Sequence, residues 1–276
     1  MTKNPKVSII IPVYNGSNYL KEAIDSALNQ TYEDVEVTVV NDGSNDNGKT
    51  EALAKSYGDR IKYYYKENGG VASALNYGIK TMRGDYFSWL SHDDVYFPEK
   101  IQTQIDTLKF YSYPVIFYSD WEFIDENSDF LRIKRSKSFT KNKFRISLIT
   151  SYKIHGCTLL IPKECFEKYG NFNEKLMTVQ DYELWFRFAK QYEFIHIPKV
   201  LIKSRLHKSQ NSHKLYSIQV KETNFYHKWA IVKLIKEDNR NRKIYLKFIM
   251  LLVFIKSRLK GYDEASSFAF KKFLKF

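Results

Sequence analysis

The chain has 276 residues, is 43% hydrophobic and 27% charged, and carries a net charge of +13 at neutral pH. That size and balance suit one large α/β domain with an appendage, and they exclude a linker, a fibre or a low-complexity segment. The charge is uneven, since residues 216–276 hold 14 Lys or Arg against 5 Asp or Glu and so supply +9 of the total. A uniformly basic nucleic-acid binder would not concentrate charge this way, whereas a near-neutral enzyme with a basic tail would.

In chain order, apolar runs alternate with helical patterns. Val7–Ile11 reads as a strand and ends in the turn Pro12-Val13-Tyr14-Asn15-Gly16; a helix over Tyr19–Asn29 follows. Val35–Val40 is the second strand, with the turn Asn41-Asp42-Gly43-Ser44 and a helix over Lys49–Tyr57. Ile61–Tyr65 is the third, with Lys66-Glu67-Asn68-Gly69-Gly70 and a helix over Val71–Thr81. Tyr86–Leu90 is the fourth, with Ser91-His92-Asp93-Asp94 and a helix over Glu99–Phe110; Val115–Tyr118 is a fifth. Strands alternating with helices of this length predict βαβ units and a mostly parallel sheet. Such sheets bind ligands beyond the carboxyl ends of their strands, so the four polar turns share one functional edge.

Adjacent carboxylates at Asp93-Asp94, where a buried strand emerges, offer oxygen ligands suited to Mg²⁺ or Mn²⁺. Asp-Asp also starts helices, so the pair alone does not decide. Residues 132–145 carry Arg132, Lys134, Arg135, Lys137, Lys141, Lys143 and Arg145 with no acid, which reads as a basic loop over the site or a solvated one. Cys157–Pro162 reads as another strand, and Tyr182–Gln191 as an amphipathic helix with Asp181 near its start. Cys157 and Cys165 make no disulfide framework and fit a reducing compartment as buried thiols.

Gly43-Ser44-Asn45-Asp46-Asn47-Gly48-Lys49-Thr50 matches the phosphate-binding loop pattern G-x-x-x-x-G-K-[ST]. Such loops turn backbone N–H groups and a lysine toward phosphates. Asp42 and Asp46 would repel them, which disfavours a P-loop nucleotide hydrolase; Asp46 is better read as a cap for the following helix. A basic adaptor for nucleic acid is disfavoured as well, because acidic strand ends repel a phosphate backbone.

With all four turns in view, the chain resembles the inverting family 2 glycosyltransferases of the GT-A fold. Pro12-Val13-Tyr14-Asn15 is similar to that family's first-strand motif, and Asn41-Asp42-Gly43-Ser44-Asn45-Asp46 to its second-strand motif. Asn68-Gly69-Gly70 followed by Asn76 is similar to its N-x-G-x-x-x-A-x-N segment. Leu90-Ser91-His92-Asp93-Asp94 stands where the family has its metal-binding D-x-D, and Gln180-Asp181-Tyr182-Glu183-Leu184-Trp185-Phe186-Arg187 where it has E-D-x-x-L-x-x-R. The resemblance covers residues 5–212. It implies a mostly parallel GT-A sheet flanked by helices in a catalytic domain over 1–215, with a helical extension over 216–276.

The resemblance further implies a nucleoside diphosphate sugar donor, UDP-linked, and a glycan or lipid-linked hydroxyl acceptor. Val13, Tyr14, Asn15, Asp42, Asn68, Gly70 and Asn76 would bind the nucleotide. Ser91 replaces the first Asp of D-x-D, so Mn²⁺ or Mg²⁺ would rest mainly on Asp93, with Asp94 and His207 (in the family's Arg-x-His position) as helpers. Asp181 would be the general base, and His155 would face the acceptor.

The tail mixes aromatic and basic residues, as in Tyr226, Trp229, Lys233 and Phe268 to Lys275. That pattern fits a helix in the headgroup layer of an anionic membrane, or helices packed on the catalytic domain or a second subunit. The longest apolar run, Phe248–Ile255, has 8 residues, and a bilayer core needs about 20. Val7–Ile11 is too short for a secretory leader. The expected location is the cytoplasm, peripheral on the inner face of the membrane.

Overall fold

Strand β1 (Val7–Val13) is buried along its whole length, as a central parallel strand covered on both faces must be. It pairs in parallel with β2 (Val35–Asp42) and β4 (Tyr86–Trp89), and β2 pairs in parallel with β3 (Lys62–Lys66). The computed structural model describes residues 4–150, 154–207, 215–237, 243–259 and 261–275.

The crossovers are α1 (Leu20–Leu28), α2 (Lys49–Lys55) and α3 (Val71–Thr81). Leu20, Ala23, Ile24 and Ala27 fall at the spacing of one helix face and are buried. Alternate residues of β1 serve the two faces of the sheet: Val7, Ile9, Ile11 and Val13 pack with α1, while Ile10 packs with Ala74, Leu75 and Ile79 of α3. Gly78 lets α3 lie close, since a Cβ there would stand 2.3 Å from Ile10 Cγ2.

A short antiparallel β8 (Ile161–Pro162) completes a five-stranded sheet of order β3-β2-β1-β4-β8. The Cys157–Pro162 run is therefore a 3-10 turn (Gly156–Thr158) and this two-residue strand. The fifth predicted strand differs more. It extends to β6 (Val115–Ile124) and pairs in parallel with β9 (Glu193–Arg205) in a second sheet. That sheet has the order β5-β9-β6-β7, with β5 (Val95–Tyr96) and β7 (Phe130–Lys134) antiparallel at its edges. A bridge between Phe117 and Leu160 joins the two sheets. The flank of β4 is taken by β8, so β6 finds its partner in β9. The basic stretch is likewise more than a loop, because it supplies β7 and the start of α5 (Lys141–Ile149).

Three further helices complete the region before residue 207: α4 (Lys100–Leu108), α6 (Lys163–Tyr169) and α7 (Gln180–Phe188). The tail forms α8 (Tyr216–Glu237), α9 (Lys243–Leu259) and α10 (Asp263–Lys275). Its apolar residues Tyr226, Ala230, Ile231, Met250 and Ala269 belong to the same buried cluster as Phe186 of α7 and Phe144 of α5. Of the two readings of the tail, packing on the catalytic domain therefore describes α8 directly. Among the described residues no helix is long and apolar enough to cross a membrane.

Candidate functional site

The four turns at the carboxyl edge are laced to one another. Asn15, at φ 49°, donates from Nδ2 to Asn45 Oδ1 at 2.6 Å and accepts from Asn45 N at 2.8 Å. Asp42, only 3% exposed, accepts from Gly69 N, Gly70 N and Lys66 Nζ at 3.0, 2.7 and 2.7 Å. Asn68 Nδ2 donates to the Asp42 carbonyl at 2.9 Å. Gly70, at φ 85°, needs the freedom of glycine to end this loop at the start of α3. Val13 is buried at the end of β1, and Tyr14 stands exposed beside the turn. Gly16 lets the first turn meet the fourth, since a Cβ there would lie 2.3 Å from His92 Cδ2.

Asn76 lies further along α3 and is fully engaged elsewhere. Its Nδ2 donates to the Phe172 carbonyl at 2.9 Å and to Glu174 at 2.7 Å, and its Oδ1 accepts from Phe172 N at 2.9 Å. It ties α3 to the loop before α7.

The phosphate-loop pattern at Gly43–Thr50 does not form a cradle. Asn41 Oδ1 takes Ser44 N, Asn15 Oδ1 takes Asn45 N, and Asp46 accepts from both the N–H and hydroxyl of Thr50. These donors serve the protein, and Asp46, two residues ahead of the N-cap Gly48, holds the first turn of α2 through Thr50.

At the end of β4, Asp93 Oδ2 and His207 Nε2 lie 3.0 Å apart. Burial alone would raise the Asp93 carboxyl, but His92 and His207 outweigh it and hold the group below the usual range. Burial pushes His92 down. A carboxylate oxygen and an imidazole nitrogen this close fit a shared divalent cation with mixed O and N ligation, as Mn²⁺ accepts.

Asp94 faces inward. Its Oδ1 accepts from Arg205 N at 3.0 Å and its Oδ2 from Cys157 Sγ at 3.3 Å. Burial, then the charge of Asp93, raises its carboxyl well above the ordinary range. His155 Nε2 is 3.6 Å from Asp94 Oδ2 and 3.0 Å from Ser204 Oγ, and burial pushes its imidazole down to about 4. Asp94, His155 and Cys157 present ligand-type atoms within 4.8 Å of one another. His155 Nδ1 accepts from Cys157 N at 3.3 Å, which assigns the ring proton to Nε2, so these residues satisfy one another.

Arg205 is buried under the site. Its Nε donates to the Asp93 carbonyl at 3.0 Å, one terminal nitrogen reaches the Asp125 carbonyl and Ser128 Oγ, and the other pairs with Glu22.

Asp181 sits in the first turn of α7, half-buried, with Oδ1 accepting from Tyr182 N at 2.8 Å. Burial pushes its carboxyl up to about 6, a value suited to a general base near neutral pH. The next residue connects it to the fourth turn: Tyr182 OH accepts from Ile154 N at 3.2 Å, and Ile154 precedes His155 beside Asp94. Arg187 of the same motif pairs with Glu183 at 2.9 Å and binds the Gly170 and Asn171 carbonyls, so it anchors α7 to the end of α6.

Sequence reasoning brought Asp93 and His207 together and placed Asp181 at a helix start. It missed that Cys157 lies against Asp94, although the thiol was read as buried. It also missed Glu222 of α8, which accepts from Met177 N, Thr178 N and Thr178 Oγ1 at 2.8, 2.7 and 2.7 Å just ahead of Asp181. A glutamate in a tail without motifs carries no signal of that contact.

The family model described as "Glycosyl transferase family 2" matches residues 8–170, more than half of the chain. An uncharacterised glycosyltransferase of Rickettsia felis is 51% identical over 243 residues, covering 85% of this chain but 40% of its own length. The chain thus spans about two fifths of that relative. S. aureus TarS 1–349 has a similar fold, with a TM-score of 0.76 at 17% identity over 98% of this chain and 81% of that one. A mannosyltransferase of Pyrobaculum calidifontis, PcManGT, matches with a TM-score of 0.63 at 16% identity, over 97% of this chain and 74% of that one. The match over both the strand-end turns and the sheets beneath them makes this chain a glycosyltransferase of family 2, with the GT-A fold.

Proposed function

We propose that the protein is an inverting glycosyltransferase that moves a sugar from a nucleoside diphosphate sugar to a hydroxyl of a glycan or lipid-linked glycan. The observation that carries this reading is the 3.0 Å contact between Asp93 and His207 at the end of β4. A uridine diphosphate donor is supported by the S. aureus TarS structure, which is a complex with UDP-GlcNAc. A divalent cation is supported by PcManGT, a complex with GDP-Man and Mn²⁺.

In this reading Val13, Tyr14 and Asn15 border the nucleobase. Asp42 holds the Asn68–Gly70 loop against the nucleotide. Asn76 contributes at a distance, through the loop before α7. Asp93 and His207 would hold Mn²⁺ or Mg²⁺, and Asp94 supports Asp93 from behind. A bound cation supplies neutralisation of the charge that grows on the departing diphosphate. Asp181 takes the proton from the acceptor hydroxyl. The acceptor oxygen attacks the anomeric carbon from the face opposite the leaving group. The bond from that carbon to the diphosphate oxygen breaks, and the configuration inverts. General-base help of this kind is worth about 10²–10⁴ in rate. His155 is assigned to the acceptor side. The exposed lysines of α8 and α10 are proposed to meet an anionic membrane surface carrying the acceptor, on the cytoplasmic side.

A thermal-shift screen of nucleotide sugars with and without Mn²⁺ tests the donor half. One uridine diphosphate sugar is expected to raise Tm in a metal-dependent manner, and His207→Ala to remove that dependence. A shift that is the same with and without metal would refute the cation's part. Asp181→Asn is expected to bind donor normally and to transfer sugar about 10²–10⁴-fold more slowly, leaving a measurable residual rate.

A further inference from the structure

We infer that Glu222 is a positioning residue for the transfer reaction, so that the first tail helix, α8, is a working part of the catalytic centre. The inference rests on the assignment of Asp181 as the base. Three donors converge on one carboxylate: Met177 N, Thr178 N and Thr178 Oγ1, at 2.8, 2.7 and 2.7 Å. Bonds to an ionised acceptor are about twice as strong as neutral ones. Two of the three grip consecutive peptide groups, which fixes the path of the backbone. Helix α7 starts at Gln180, and Asp181 is its second residue. The direction in which Asp181 leaves the chain is therefore set within a few bonds of the clamp.

The same helix face grips α7 on the other side of the base. Tyr226, one turn after Glu222, places its ring 6.4 Å from Tyr182 and 6.3 Å from Phe186. Its hydroxyl is buried with no hydrogen-bond partner among the described residues. Burial first, and then the nearby Tyr182 and Asp181, push that phenol well above its ordinary range. A buried donor left unsatisfied is costly unless a ligand engages it. Glu222 and Tyr226 thus bracket Asp181 from one helix. In sequence α8 also begins nine residues after His207, so one element is tied to both halves of the proposed chemistry.

A carboxylate that merely stabilised the fold could cap a loop anywhere. One that aims a base must affect the reaction through that base. A misplacement of about 1 Å can cost 10²-fold in rate. The test measures kcat, donor dissociation constant and the pH dependence of kcat for Glu222→Ala, Glu222→Gln, Asp181→Asn and the Glu222→Ala/Asp181→Asn double variant. Glu222→Ala is expected to lower kcat by about tenfold to a hundredfold with donor affinity unchanged. Its acid limb moves to lower pH as the loosened loop opens Asp181 to water. Glu222→Gln, which keeps one acceptor oxygen, recovers part of the rate and carries the test if the alanine variant does not fold. The double variant is no slower than Asp181→Asn alone.

Unchanged kcat and acid limb in Glu222→Ala, with Asp181→Asn reduced to its residual rate, would overturn the clamp and leave the base assignment standing. A further loss in the double variant would do the same. A full rate in Asp181→Asn would overturn the base assignment, and the clamp with it.

Discussion

Asp181 has its carboxyl pushed up to about 6 by burial, against about 3.9 for an unperturbed aspartate. As a base it works only when ionised. The pH profile of kcat is therefore expected to rise tenfold per unit below about 6 and level off above it. The stability sign is opposite. A raised folded pKa means that the folded state holds the proton more tightly than the unfolded chain. This contribution is fully present below the unfolded value and is lost as pH rises through about 6. Asp181→Asn, neutral at every pH, should raise Tm at pH 8 while slowing transfer about 10²–10⁴-fold, with the gain shrinking as pH falls from about 6 to about 4 and absent below that. A lower Tm for the variant at pH 8 would show that the ionised carboxylate is not held against its own burial. Residue by residue, the sequence was informative about position where a motif surrounded the side chain, placing Asp93 at the end of β4 and Asp181 in the first turn of a helix. At Asn76 the resemblance pointed to the nucleotide, but an amide that binds a nucleotide and one that ties α3 to the Phe172 carbonyl look alike until the partner is known.

At the scale of elements, the parallel core was legible because buried strands and amphipathic crossovers have distinct periods. Four of the predicted strands and their helices appear within a few residues as β1–β4 and α1–α4. β9 escaped because its pairing with β6 shifts register around Asp120, and exposed Pro198 and Lys199 interrupt its apolar run. Yet β9 delivers Arg205 and leads to His207. Arg205 spans the end of β4, the turn after β6 and helix α1 with one guanidinium. Lysine has no planar fork and cannot satisfy these directions together. Arg205→Lys should cost about 1–3 kcal/mol for each buried partner left unsatisfied, and should raise the Mn²⁺ concentration needed for half-maximal activity because the Asp93 backbone loses its anchor. Denaturant unfolding and metal titration check the two halves. A variant with normal stability and normal metal demand would reduce Arg205 to a passive packing residue.

For the molecule as a whole, the tail poses the question that periodicity left open. An amphipathic pattern states that an apolar face exists and leaves its cover unspecified. Tyr226, Ala230 and Ile231 spend that face on α7 and its surroundings, so deleting residues 216–276 would uncover a buried cluster and remove the Glu222 clamp together. Loss of vesicle binding in such a truncation would be uninformative about the membrane. The cations are separable from this packing: Lys233, Lys236 and Lys271 are exposed, and among the described residues no ion pair engages them, in contrast to Lys228, which pairs with Glu264 at 2.6 Å. Each lysine near an anionic surface contributes about 1 kcal/mol, so replacing all three with glutamine should weaken binding to vesicles containing anionic lipid by about a hundredfold at low salt. Tm and the transfer rate toward a soluble acceptor should stay close to the parent, since all three are exposed and Lys233 meets the cluster around α7 only through the partly buried Trp229 ring, 5.9 Å away. Binding to neutral vesicles should be weak for both proteins, and added salt should erase the difference between them. Undiminished binding by the triple variant would take the membrane contact away from the tail and leave α8 with its role beside Asp181 alone.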